Sequence, residues 1–207
     1  MEIWISQLFN GLSVSSILLL IALGLAVTFG LMRVINMAHG EFIMIGAYGA
    51  YMTQQIFKSA LPKSLFDAYF PVALLASFVL AFAIGYLLEV TLIRFLYGRP
   101  LDSLLATWGV GLMLQQLART IFGAPNVAVS SPTWLDGGWA LMPGVVLPYK
   151  RLFIIALVAF CLFAMYLYIY RSNAGRRMRA VMQNRDMAAC LGISTRRVDA
   201  FTFAIGS

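Results

Sequence analysis

The polar residues with the widest chemical reach in this chain lie between Val34 and Phe42 (VINMAHGEF), where Asn36, His39, Gly40 and Glu41 separate two apolar runs without a proline or a long polar loop. A histidine beside a carboxylate suggests acid–base work or metal binding. A zinc site wants three or four N, S or O ligands, and the chain offers one His and two distant cysteines, Cys161 and Cys190. HGE is not HExxH, and neither a GxSxG nucleophile elbow nor a Walker P-loop is present. No metal, cofactor or catalytic residue is expected, and the chain is read as carrying no enzyme activity of its own. Two readings of the stretch stay open. It is either a discontinuous helix whose freed backbone and polar groups line a path, or a tight turn at a membrane interface, with Arg33, His39 and Glu41 at the water.

A further polar group, Thr107, Trp108, Gln115, Gln116 and Arg119, falls within one apolar run. Helical spacing puts Thr107, Gln115 and Arg119 roughly on one face, with Gln116 offset. Uncharged donors and acceptors of this kind suit a neutral, hydrogen-bonding substrate, or equally hydrogen bonds between helices. A third stretch, Arg185, Asp186, Met187, Ala188, Ala189, Cys190, Leu191, Gly192 and Ile193, is short, amphipathic and closed by a glycine. Its small residues suit docking into a groove on a partner.

The elements that must position these groups follow from composition. Apolar residues make up 61% of the 207 residues and charged residues 11%, against roughly 45–50% and about 25% in soluble domains. That excess predicts an all-α, polytopic bundle of transmembrane helices embedded in the lipid bilayer. With about 20 apolar residues per crossing, the spans fall at 8–32, 71–88, 102–122 and 152–170, with a short run at 42–57. A half-span begins at Val198, so the chain is expected to stop inside a helix. This gives about five full or partial spans plus the start of another, in a single domain over residues 1–207. Small residues recur every fourth position at Ala22, Ala26 and Gly30, and at Ser77, Ala81 and Gly85, a pattern that lets helices approach closely.

Orientation follows from the cations. Seven of the fifteen Lys and Arg residues fall within residues 171–197, where the positive-inside rule places a cytoplasmic loop. The segment with Arg94 and Arg99 should share that face. Residues 123–150, rich in Pro, Gly, Ser and Trp, then form an external loop, with Lys150 and Arg151 as exceptions to the rule. The net charge of +7 is topogenic, and no nucleic-acid partner is expected.

Three stretches, ALGLAVTFGLMRVINMAHGEFIMIGAY, RPLDSLLATWGVGLMLQQLARTIFGAPNV and NRDMAACLGISTRRVDAFTFAIGS, resemble the permease subunits of bacterial ABC importers for branched-chain amino acids and urea. Within that family the middle stretch is most similar to the urea branch. The resemblance implies a multi-pass permease of the bacterial inner membrane, working with a second related permease subunit, two ABC ATPase subunits and an external solute-binding protein. It also implies that residues 171–197 hold the coupling loop that enters the ATPase, with Asp186, Met187, Ala188 and Gly192 at the spacing of the family's EAA-type motif, Asp and Met replacing its Glu and first Ala. Members of the family continue through further spans, so the chain is read as an incomplete permease. The expected cargo is urea, carried past Asn36, His39, Glu41, Thr107 and Gln115. The rivals are a branched-chain amino acid permease, a passive urea channel, and a purely structural or assembly role.

Overall fold

The computed structural model describes residues 2–32, 34–60, 67–123, 127–142 and 145–207. The expectations for Arg33 and for residues 124–126 and 143–144 of the 123–150 loop lie outside these residues.

Among the described residues the chain is helical but for one hairpin: α1 (Glu2–Met32), α2 (His39–Ala60), α3 (Tyr69–Thr91), α4 (Pro100–Phe122), β1 (Gly138–Met142), β2 (Val145–Pro148), α5 (Tyr149–Arg171), α6 (Asn173–Gln183), α7 (Arg185–Cys190) and α8 (Thr195–Gly206). Among the described residues three helices, α1, α3 and α5, are long and apolar enough to cross a membrane. Helical backbone satisfies its own hydrogen bonds, which hydrocarbon demands, and these helices turn large apolar side chains outward. Leu75, Phe78 and Val79 on α3 and Phe160 and Phe163 on α5 are all more than half exposed. In α2 and α4 several polar groups turn inward instead, with Thr53, Gln54, Ser103 and Thr107 buried.

Glycine decides how the helices meet. α8 lies between α1 and α3, and a Cβ placed on Gly24 would stand 2.8 Å from the Gly206 carbonyl oxygen and 2.8 Å from His39 Cε1. On the other side of α8, Gly85 faces Ser207 and Ala204. Gly49 of α2 backs onto Ser77 of α3, where an added Cβ would lie 3.3 Å from the Ser77 Cα. The stripe at Ser77 and Gly85 therefore serves two different neighbours. The stripe at Ala22, Ala26 and Gly30 is not the close crossing of α1, which runs instead through Gly24 and Thr28.

The two basic segments expected on one face do meet, since the Arg185 guanidinium lies 5.0 Å from the centre of the Tyr97 ring. The opposite end is built from the 127–148 segment. Ser130 donates its N–H to Gln54 Oε1 at 3.3 Å and accepts from the Tyr69 hydroxyl, Thr133 bonds Asp67, and Phe70, Trp134 and Phe153 form an edge-to-face trio. The loop expected at 123–150 thus contains an antiparallel hairpin pairing Gly138 with Pro148, and α5 starts at Tyr149 within it. Lys150, an exception to the cation pattern, is paired with Asp136 at 2.8 Å.

α5 turns into α6 within one residue. Ser172 caps α6 by accepting from the Gly175 N–H at 2.9 Å, and its hydroxyl donates back to the Tyr168 carbonyl at 2.5 Å. Gly175 sits directly against the Tyr168 and Ile169 carbonyls, where a Cβ has no room. Backbone cannot retreat as a flexible side chain does, so Gly175→Ala should destabilise this elbow by about 1–3 kcal/mol. Thermal unfolding of the purified complex in detergent should show a lower midpoint, and an unchanged midpoint would mean the elbow opens freely.

Candidate functional site: the buried turn between α1 and α2, and the α7 helix

Between α1 and α2 the chain leaves helical geometry. Val34, Ile35 and Asn36 are irregular, Met37 and Ala38 form a turn, and α2 begins at His39. The stretch is not a loop in water. Val34, Asn36, Ala38 and His39 are buried, and Val34, Ala38 and Phe42 form a core cluster with Ile93 and Phe203. His39 lies against Gly24, which at 1.5 Å per residue is ~12 Å back along α1 from its end at Met32. The chain therefore turns back and runs for more than a helical turn inside the bundle before α2 starts.

Irregular backbone at such a place needs partners for its N–H and C=O groups, and α4 supplies them. The Thr107 hydroxyl accepts from the Met37 N–H at 3.1 Å, and its own proton has the Ile35 carbonyl at 3.2 Å and the Leu104 carbonyl at 3.0 Å as acceptors. Asn36 closes the turn by accepting from the Ala38 N–H at 3.1 Å. Two residues into α2, Glu41 accepts from Gln115 Nε2 at 2.7 Å. The two polar groups of the sequence are thus one structure, α4 facing the break along its length. Gly111 lets them approach, with Glu41 and Ala38 beside its missing side chain. Arg119, expected on this face, is exposed, as are Trp108 and Gln116, because α4 turns only its Ser103, Thr107, Gly111 and Ala118 line fully inward.

His39 and Glu41 point to opposite sides, Glu41 toward α4 and His39 toward α1. An apolar groove of about 730 Å³ runs on the His39 side, lined by Ile21, Leu25, Phe29, Asn36, His39 and Ile43. Among the described buried polar atoms, Asn36 Nδ2 and His39 Nδ1 have no hydrogen-bond partner.

The stretch from Arg185 to Ile193 is a helix closed at both ends. Asn184 caps it by accepting from the Met187 N–H at 3.0 Å. At the far end Gly192 takes φ +80°, with its N–H bonded to the Ala189 carbonyl at 3.0 Å and the Ile193 N–H to the Ala188 carbonyl at 3.1 Å. This is a Schellman ending, in which glycine adopts the left-handed conformation at no steric cost. Ala188 is buried, while Asp186, Met187, Ala189 and Leu191 are exposed.

The profile of the family described as "Branched-chain amino acid transport system / permease component" matches residues 7–207. The chain belongs to this permease family. It is 32% identical to the high-affinity branched-chain amino acid transport system permease protein BraD of Pseudomonas aeruginosa over 213 aligned positions, covering 99% of this chain and 67% of BraD. It is 30% identical to LivH of Escherichia coli K12 and 29% identical to LivH of Salmonella typhimurium, with the same coverage. No solved structure matches it. Family and long apolar helices together place the permease in the bacterial inner membrane as a multi-pass protein.

The sequence pattern does not reveal a polar cluster that lies beneath α7. Arg185 Nη2 bonds Asp199 Oδ2 of α8 at 2.5 Å, and the Tyr97 hydroxyl donates to Glu89 Oε1 at 3.0 Å. Glu89, whose place near Arg94 suggests an ion pair or an interfacial position, is buried and takes its hydrogen bond from Tyr97. Burial, with the nearby Asp199 and Glu89 charges, pushes the Tyr97 phenol far up, so it keeps its proton and donates at any physiological pH. The available signal was Asp199 itself, a lone carboxylate opening an apolar run.

Thr107→Val keeps the shape of the side chain but orphans the Met37 N–H. It should cost about 1–3 kcal/mol, seen as a lowered unfolding midpoint, while Thr107→Ser stays near the parent. Equal stability of the Val and Ser variants would remove the hydroxyl from its role at the break.

Proposed function

We propose that this permease is the membrane subunit of an ATP-driven importer of branched-chain amino acids. In this reading it pairs with a second related permease, receives solute from an external binding protein and is driven by two ATPase subunits that dock at α7. The likeness to BraD over 99% of the chain carries the reading. The capped, outward-facing α7, with Met187 and Leu191 exposed four residues apart, supports the docking assignment. The end bearing Arg185 is then cytoplasmic and the hairpin end external.

The geometry weakens the case for urea. Thr107 and Gln115, the uncharged groups that recommended it, are engaged in holding the break. The groove beside the break is walled by Ile21, Leu25, Phe29 and Ile43, a surface suited to branched aliphatic side chains. Urea stays as the alternative cargo on the strength of the LLATWG and LQQLARTIFGAPN segments. A passive urea channel leaves α7 without a purpose. The path in either case runs by Asn36, His39 and Glu41, with Thr107 holding the backbone that presents them and Gln115 holding the Glu41 side chain.

The test is uptake of labelled leucine and labelled urea by cells carrying the full-length gene with its neighbours, with and without Gly192→Trp. At φ +80° tryptophan strains the Schellman turn and adds bulk where the ATPase would dock. Leucine uptake, abolished by the substitution, is the expected result. Urea uptake lost in the same way would change the cargo and keep the machine, whereas flux indifferent to the substitution would argue for a passive facilitator.

A further inference from the structure

Arg185 is the first residue of α7, and it is held from two directions. Its guanidinium bonds Asp199, whose side chain is only 6% exposed, and lies over the ring of Tyr97, the residue that donates to buried Glu89. These groups, with Arg94 and Arg196, wall a polar cavity of about 230 Å³. A carboxylate buried to this degree depends on its partner, because breaking such a pair leaves an uncompensated charge. α7 is thereby fastened to α8 and to the α3–α4 connection by one side chain.

From Asp199 one face of α8 leads inward. Phe203, a turn further on, meets Phe42 of α2 edge to face with ring centres 6.4 Å apart. Gly206, almost another turn on, is in backbone contact with Gly24 of α1, which also touches His39. Positions 199, 203 and 206 are spaced i, i+4 and i+7, on a single helix face. α8 is wedged between α1 and α3 through Gly24, Gly206 and Gly85, and close-packed contacts of this kind transmit a displacement instead of absorbing it.

We propose that Arg185 is a positioning residue that ties the coupling helix to the interrupted helix: it locks α7 to Asp199, and α8 carries the motion of α7 as a rod to Phe42 and His39. The inference rests on the docking role of α7 proposed above. ATP binding by the partners would move α7, α8 would follow, and the break would rearrange about the Thr107 hydroxyl.

The test uses the complete transporter in lipid nanodiscs with a reporter at Gly40→Cys, in a Cys161→Ser, Cys190→Ser background. Gly40 is exposed, and no atom lies within 4 Å of where its Cβ would stand. The rate of labelling by a water-soluble maleimide is compared between nucleotide-free and ATP–vanadate-trapped complexes. The parent should show a rate change on the order of fivefold or more. Asp199→Asn, on α8 and outside the docking helix, should abolish that change while ATPase subunits still co-purify and hydrolyse ATP. Arg185→Met should abolish it too wherever that variant assembles, and Arg185→Lys should restore much of it. A nucleotide response intact in the variant, or absent from the parent complex, overturns the proposal. Failure of ATPase subunits to co-purify with the parent is a different result, because it removes the docking reading itself.

Discussion

One hydroxyl group does much to decide whether this chain can interrupt a helix inside an apolar bundle. Backbone that leaves helical geometry away from water must find partners for each N–H and C=O, and the Thr107 side chain, with a donor and an acceptor on one oxygen, serves both Met37 and Ile35. Asn36 completes the arrangement from within the turn, and about two helical turns further along α4 Gln115 bonds the Glu41 side chain. Because the partners come from α4, the break is a joint property of two helices. α4 in turn pays for its polar residues by being less apolar than the three long spans.

The rest of the bundle is arranged so that the break can be packed. The backbones of α1, α8 and α3 come together where glycine removes the side chain, since lipid gives helices no hydrophobic reason to associate and close van der Waals packing must supply it. α8 ends against Gly24 at the level where His39 begins α2, and Phe203 closes the core around Phe42 and Ala38. The helix that follows α7 in sequence is therefore also the one that walls the 34–39 segment in space.

Much of this was legible in the sequence. Composition and run lengths identify an all-α membrane bundle, VINMAHGEF marks where the apolar run changes without deciding between a helix break and a turn, the cation distribution pairs the 93–100 and 171–197 segments, and the glycine at 192 ends α7 where a stop was expected. The unreadable parts depend on who faces whom. Thr107, Gln115 and Arg119 share a face by spacing, yet the packing of α4 buries the first, half-buries the next and exposes the third. Four-residue stripes of small side chains mark one true crossing and one bystander, because periodicity says that a face is smooth without saying what lies against it. The ties through Asp199 and Tyr97 span three elements, and the 138–148 hairpin sits in a segment whose turn residues advertise only bends.

The six-residue helix α7 carries a consequence for assembly. A peptide this short would not hold a helix in water on its own, since nucleation costs more than so few hydrogen bonds return. The Asn184 cap, the Schellman turn and the anchoring of Arg185 remove that difficulty before any partner arrives. In the docking role proposed above, association would spend little on ordering α7, since preorganised binders keep more of their interaction energy as affinity. A helix that is already folded is also stiff, so a partner gripping it would move the attached helices instead of merely deforming a loop.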